Sequence, residues 1–369
     1  MLRMAYTTRA GNDKIKKNET VVIREMGGRA QMKRLMGMLA ALIVCFGCAC
    51  AENISPTTGL PLNSEPVAPM LAVISHTFGD TEVDGRKVSA AGVGKRQAWG
   101  GQQADIIYES LLYQEGCSRF AYLYHDALVN GERIEAGPLR SVRDLHIQLS
   151  ELWQAGLIYG SGNTSTTPAL EGLGERAMDT GMPQVRPHIT TVRRMAPDHR
   201  SADVTALHEL LTNKTFTAAG FTFSKEAPAA DLPAGTELHL QWGGSSTQVW
   251  TTHFVYEASR GQYLCYTGKA PLKNDHDTSF TEESQLCFEN VIVQYATYSY
   301  PRSKMMPEVD LTAGGKAMIL RGGKRIEARW VNDKGRIRWV DEQGNDVPLT
   351  PGKTYIAVWP DDRAEIEYQ

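Results

Sequence analysis

Two hydrophobic periods alternate along the chain, and their order predicts its architecture. Met70-Leu71-Ala72-Val73-Ile74 is a short apolar run bounded by Pro69 and Gly79, the pattern of a buried strand. Asp105 to Tyr113 and Ser118 to Tyr124 flank Glu115-Gly116 and predict a β-hairpin. Its two-residue period puts Asp105, Ile107 and Glu109 on one face. The spacing then becomes helical: Val142, Leu145, Leu149 and Leu152 form a stripe behind Ser141, with Asp144 in the position of a capping-box partner. Leu157 to Tyr159 predicts another strand and Gly160-Ser161-Gly162-Asn163 a tight connection. Pro168 to Met178 predicts a helix opened by a first-turn proline.

Beyond residue 200 the two-residue period takes over. Ala202 to Leu211 predicts one helix. Short strands follow at Glu237-Leu240, Thr252-Tyr256, Gln262-Tyr266, Val291-Tyr295, Ala317-Leu320, Arg325-Trp330, Arg336-Val340 and Thr354-Val358, separated by turns such as Gly322-Gly323 and Asn332-Asp333-Lys334-Gly335. The expected fold class is a mixed α/β (α+β) N-terminal domain over residues 52–200, followed by a β-rich, mainly antiparallel C-terminal domain over 201–369. Each half is long enough to bury its own core.

The first fifty residues carry a different signal. Met32-Lys33-Arg34 precedes the apolar run Leu35 to Gly47, and Ala49-Cys50-Ala51 offers small residues for cleavage before Glu52. This is the anatomy of a secretory signal over residues 32–51. At thirteen residues the apolar run is shorter than the roughly 18 to 20 that span a bilayer. Residues 1–31 read as an upstream mis-start with Met32 the initiator, or as an unusually long charged region before the signal. Cys48 or Cys50 could carry a lipid anchor, although Cys45-Phe46-Gly47 and Gly47-Cys48-Ala49 fit the aliphatic-small-small pattern poorly. The expected location is extracytoplasmic, either secreted or lipid-anchored at the outer face of the cytoplasmic membrane.

Charge narrows the partners. Nine Lys/Arg and three Asp/Glu precede residue 52, so removing them takes the formal net charge from −3 to −9. With no basic run, the body is a poor nucleic-acid binder. Its only expected route to a membrane is the lipid. Cys117, Cys265 and Cys287 remain, without CxxC spacing; Cys265 and Cys287 could form a cross-strand disulfide or stay as two reduced core thiols.

The sharpest candidate chemistry is Gly137-Pro138-Leu139-Arg140-Ser141-Val142-Arg143-Asp144. A helix start presents free N–H groups, and arginines add forked donors suited to carboxylate or phosphate. Arg119, Arg140, Ser141 and Arg143 are therefore the expected ligand-binding residues. They would hold an anionic group of a cell-wall or peptide ligand. In the alternative reading Ser141 only caps the helix, and the arginines pair with Asp105, Glu109 or Asp144. Ser141, Asp105 and Glu109 are weak catalytic candidates for a hydrolase or transferase. No nucleophile elbow accompanies Ser141, and His146 lies about 500 degrees further round a helix. Asp105 and Glu109 are about 13 Å apart along a strand, too far to share an ion. A protein-interaction module is a further alternative. Asn274-Asp275-His276-Asp277 lacks calcium-loop spacing, and no His-x-x-x-His pair occurs, so neither a metal nor another cofactor is expected.

These residues resemble the YerB-like lipoproteins of bacteria, a two-domain family of unknown function. The resemblance rests on Asn53 to Leu60 with Pro66-Val67-Ala68, and on Ala104 to Glu109 with Ser118-Arg119-Phe120. It also rests on Gly137 to Arg143, on Glu289 to Gln294 and on Pro351 to Tyr355. It implies an envelope-facing protein, usually lipid-anchored, with no agreed activity. Tyr159-Gly160-Ser161-Gly162 stands where the family pattern often carries a histidine, which favours binding over catalysis.

Overall fold

In the computed structural model the apolar runs pair into one long sheet that crosses residue 200. The structure describes residues 53–76, 81–83, 86–88, 98–114, 116–191, 199–216, 220–245, 248–267, 270–272, 285–304, 306–363 and 367–369. The signal region with Cys48 and Cys50, and the Asn274 to Asp277 loop, lie outside the described residues.

The elements that position the site are, in the first half, β1 (Met70–Ser75), β2 (Ile106–Leu111), β3 (Ser118–Tyr124), α1 (Asp126–Val129), α2 (Asp144–Trp153), β4 (Gly156–Tyr159), α3 (Thr167–Leu173), β5 (Ala177–Asp179) and α4 (Val204–His208). The second half contributes β6 (Glu237–Ser245), β7 (Gln248–Glu257), β8 (Gln262–Thr267), β9 (Asn290–Ser299), β10 (Gly315–Arg321), β11 (Lys324–Asp333), β12 (Arg336–Val340) and β13 (Thr354–Pro360). An eleven-stranded mixed sheet runs β5-β4-β1-β3-β2-β13-β9-β10-β11-β12, with Glu308–Asp310 added to β9. Its centre is parallel: β13 pairs with β2 on one side and β9 on the other. All seven residues of β13 are buried, as expected of a strand covered on both faces.

A second, antiparallel sheet built on β6, β7 and β8 packs against one face of this centre. The Trp242 and Trp359 rings lie 4.8 Å apart and those of Phe254 and Tyr355 4.7 Å. All four are buried, each contributing roughly 1.5–3 kcal/mol or more of transfer free energy. On the opposite face α2 buries Leu145, Leu149 and Trp153, and Trp153 Nε1 donates to the Tyr108 hydroxyl at 2.8 Å. Strand β2 is thus sandwiched, with Tyr108 towards the helix and Glu109 towards the second sheet.

Three local expectations are corrected. Helix α2 starts at Asp144 with Arg143 as its N-cap residue, two residues later than a Ser141 cap would require. Its capping acceptor is His146 Nδ1, which takes the Arg143 backbone N–H at 2.9 Å, so Asp144 plays no capping-box role. The helix opening with Pro168 ends at Leu173 because Gly174 turns to φ +58°, a conformation that favours glycine; Ala177–Asp179 then joins β4 as a strand. In the Ala202 to Leu211 segment only Val204–His208 is α-helical, capped by Asp203 through Ala206 N–H at 3.0 Å, while Arg200–Asp203 pairs as a strand.

The register also decides the cysteines. Cys287 stands opposite Leu264, so strand alternation puts Cys265 on the other face, and both thiols are free. No helix among the described residues is long and apolar enough to cross a membrane.

Candidate functional site

The segment 137–143 does not begin a helix. It runs as extended chain wedged between strands, bonded on both sides. Pro138 C=O accepts from Ser75 N–H, and Arg140 N–H donates to Val73 C=O, both at 2.9 Å. On the other side Leu139 N–H donates to Arg200 C=O at 2.9 Å, Gly160 N–H to Arg140 C=O at 2.8 Å, and Val142 N–H to Ser161 C=O at 2.9 Å. Gly137 is required here, because a Cβ would lie 2.4 Å from the Trp99 ring.

This pairing lines an open cleft of about 270 Å³ with Leu139, Arg140, Ser141, Gly160, Ser161, His199 and Arg200. Ser141 Oγ and Ser161 Oγ are 2.7 Å apart at its wall. Arg140 Nη1 donates to Ser75 Oγ at 3.3 Å, and Arg200 Nη1 donates to Thr180 Oγ1 at 2.7 Å. Behind the wall Arg119 is buried and donates from Nη1 to the Ser141 carbonyl at 2.7 Å. Arg143 donates to its neighbour's carbonyl at Val142. Among the described residues Arg119, Arg143 and Arg200 form no ion pair with a carboxylate.

A buried guanidinium whose nearest charges are other guanidiniums is electrostatically uncomfortable. Burial first, and repulsion from Arg140 and Arg143 second, bring the Arg119 pKa down to about 9, still charged at neutral pH. Burial with the charges of Arg119 and Arg143 pushes the His146 pKa well below its ordinary value. A neutral ring is what its capping bond needs, since Nδ1 must be unprotonated to accept the Arg143 N–H. His146 is therefore turned to the helix start, away from service as a base for Ser141.

The carboxylates expected to accompany these arginines lie elsewhere. Glu109 is fully buried between the two sheets. Its Oε2 accepts from Thr252 Oγ1 at 2.7 Å and from the Tyr355 hydroxyl, and its Oε1 accepts from Ser118 Oγ and lies 2.9 Å from His76 Nδ1. Asp105 Oδ2 accepts from Thr57 Oγ1 at 2.9 Å and from the N–H groups of His125 and Asp126 at 2.8 and 3.0 Å. Burial, then the charge of Asp126, raises the Asp105 pKa far above the usual carboxyl range. The expected pairing of Asp105 or Glu109 with Arg119 or Arg140 does not form. Nor does either acid share a hydrogen-bond partner with Ser141 among the described residues.

Asp105, His125 and Asp126 bring three ligand-type atoms within 4.8 Å of one another. Asp105 and Asp126 accept several hydrogen bonds here, while His125 Nε2 is buried without a hydrogen-bond partner. Ser55 Oγ and Thr58 Oγ1 each donate to Asp126 at 2.5 Å, and His125 Nδ1 lies 2.8 Å from Asp126 Oδ1. The cluster anchors the Ser55-Thr58 lead-in to the body. Of the cleft residues, His199, Arg200 and Ser161 were not anticipated; they are brought in by strand pairing across 20 to 60 residues and carry no local motif.

Family models match two successive segments of the chain. Residues 92–219 match the N-terminal domain, and 239–356 the C-terminal domain, of "Protein of unknown function (DUF3048)". The chain is 33% identical over 76 residues to "Putative lipoprotein YerB" of Bacillus subtilis strain 168, an alignment spanning 21% of this chain and 23% of that protein. The crystal structure of the Bacillus subtilis YerB protein superposes with a TM-score of 0.66 at 18% identity, covering 85% of this chain and 99% of that one, a likeness of fold.

Proposed function

From the premise that the chain belongs to the DUF3048 family, whose two domains it carries in order, we propose that it is an extracytoplasmic binding protein. Its cleft at Arg140 and Ser141 holds an anionic group of a cell-wall or peptide ligand. The location is supported by the secretory pattern of residues 32–51 and by the lipoprotein name of its Bacillus relative.

The observation that carries the ligand class is the arginine cluster. A body of net charge −9 concentrates Arg119, Arg140, Arg143 and Arg200 around one open cleft, and three of them lack a carboxylate partner among the described residues. Buried or clustered cations without counter-charge are costly, and an arriving carboxylate or phosphate relieves that cost while gaining charge-assisted hydrogen bonds. Ser141 and Ser161 supply hydroxyls beside the guanidiniums, a donor set suited to the oxygens of either anion.

The test is a thermal-shift titration of the full chain with inorganic phosphate and with a soluble muropeptide. At least one should raise the melting temperature of the wild type, and Arg140→Ala should abolish that rise. A ligand that stabilises Arg140→Ala as much as the wild type would remove the cleft from the reading.

A further inference from the structure

One edge of the large sheet concentrates positive charge that the anion cleft does not use. Residues 316–338, which span most of β10 to β12, hold eight Lys/Arg against two Asp/Glu, a formal +6. The rest of the body, −9 in all from residue 52 onward, therefore carries −15. The strands are amphipathic. Ile326, Ala328, Trp330 and Trp339 pack against the core, and the register places Lys316 opposite Arg329, and Arg338 opposite Val331, on the other face. Lys316 and Arg329 are exposed.

Part of this face is neutralised and part is not. Arg325 lies 3.2 Å from Glu327, and Arg338 lies 2.7 Å from Asp346. Lys316 and Arg329 form no ion pair among the described residues, and neither does Lys334, exposed at the β11–β12 turn. Like charges directly opposite on paired strands are destabilising. A protein with an excess of acid nonetheless leaves the Lys316–Arg329 pair without a carboxylate, as expected of a face that meets its counter-charge in a partner. The face also adjoins the point where the chain enters the body. Gly59 packs so closely on the Phe223 ring that a Cβ there would lie 2.3 Å from it, and the neighbouring Thr222 Oγ1 donates to Asp346 Oδ2 at 3.1 Å. Asp346 is the residue that pairs with Arg338.

We infer that the outer face of β10 to β12, centred on Lys316 and Arg329, docks on the anionic phospholipid headgroups of a membrane surface. Long cationic side chains spread over three paired strands suit a laterally mobile array of headgroups, which can gather beneath them, better than a ligand of fixed shape. The attachment of the chain selects the same partner. Cys48 and Cys50, the positions that could carry a lipid, join the body through the Asn53 to Gly59 lead-in beside this face. One acyl chain holds a protein at a membrane only marginally, and a basic surface is the kind of second signal that makes the attachment stable. The basic residues lie on separate strands, so the surface exists only once the sheet has formed.

The experiment is vesicle co-sedimentation, with phosphatidylcholine alone and with equal parts of phosphatidylcholine and phosphatidylglycerol. Glu52–Gln369 is a compact unit, and it is used beside the full chain so that the basic residues before 52 do not set the result. At low salt the unit should bind the anionic vesicles in preference to the neutral ones, and high salt should release it. Lys316→Gln combined with Arg329→Gln should lower the partition coefficient by about tenfold or more, with unchanged circular dichroism. Arg133→Gln combined with Arg186→Gln removes the same charge from exposed positions of the first half and should keep most of the binding. Absence of a preference for anionic vesicles, or equal loss in both double variants, would overturn the inference. So would a dimer that the Lys316 and Arg329 substitutions abolish while vesicle binding is unchanged, since the face would then belong to a second copy. Neither residue lines the arginine cleft, so failure here leaves the anion reading standing, and the reverse also holds.

Discussion

Replacing Glu109 by Gln tests whether the buried carboxyl is a structural tie between the two sheets. The amide keeps the volume of the side chain but replaces one acceptor oxygen with an NH₂ group, so two of the four donors lose their lone pairs whichever way it is turned. If the amide faces Oε2's partners, Thr252 and Tyr355 are affected; Thr252 has little freedom, because its Oγ1 already accepts from Trp242 Nε1 at 3.2 Å. If it faces the other side, Ser118 and His76 are affected. A buried donor left without an acceptor costs about 1–3 kcal/mol. Allowing the Tyr355 hydroxyl to rotate and accept, the substitution should cost about 2–4 kcal/mol, a large part of a typical total of about 5–15 kcal/mol. Urea unfolding followed by tryptophan fluorescence should show the midpoint falling with the slope unchanged. A loss below about 0.5 kcal/mol, the range of ordinary surface changes, would refute the reasoning.

Asp105 predicts a pH effect of the opposite sign from an ordinary ion-paired carboxylate. Its folded-state pKa is raised from 3.8 to about 8, so between those values the folded state binds more protons than the unfolded chain. The contribution is therefore fully present below about pH 4 and is lost as pH rises towards 8. Asp105→Asn should flatten that decline in urea midpoints measured across the interval, and an unchanged decline would show that another group causes it. The register predicts free thiols: alkylation in denaturant without reductant should label Cys265 and Cys287 as well as Cys117. A Cys265–Cys287 cross-link would contradict the strand pairing.

Secondary structure was legible wherever a period was sustained over several residues. Met70 to Ile74, Ser118 to Tyr124 and Arg336 to Val340 became strands at or within a residue of their expected limits. Errors fell where local signals compete with pairing. Ser141 looked like a cap because a helical stripe follows it, but its backbone neighbours are drawn into strand-like bonds with residues 73, 160 and 161, so the helix starts later. Residues 177–179 continue a helical pattern in the sequence, and nothing within them announces that β4 lies alongside.

Sequence alone determined the secretory pattern, the acidic body, the family resemblance and the clustering of Arg140, Ser141 and Arg143, since each is a property of adjacent residues. It could not determine which distant groups meet. Glu109 and Tyr355 are 246 residues apart in the chain, Glu109 and Thr252 143, and each pair is brought together by stacking the second sheet on β2 and β13. Lys316 and Arg329 share no motif and become neighbours only through the β10–β11 register. The same physics sent the two acids away from the arginines. Strand alternation turns Glu109 into the space between sheets and Arg119 towards the start of α2, so charges close in sequence end on opposite sides of one sheet.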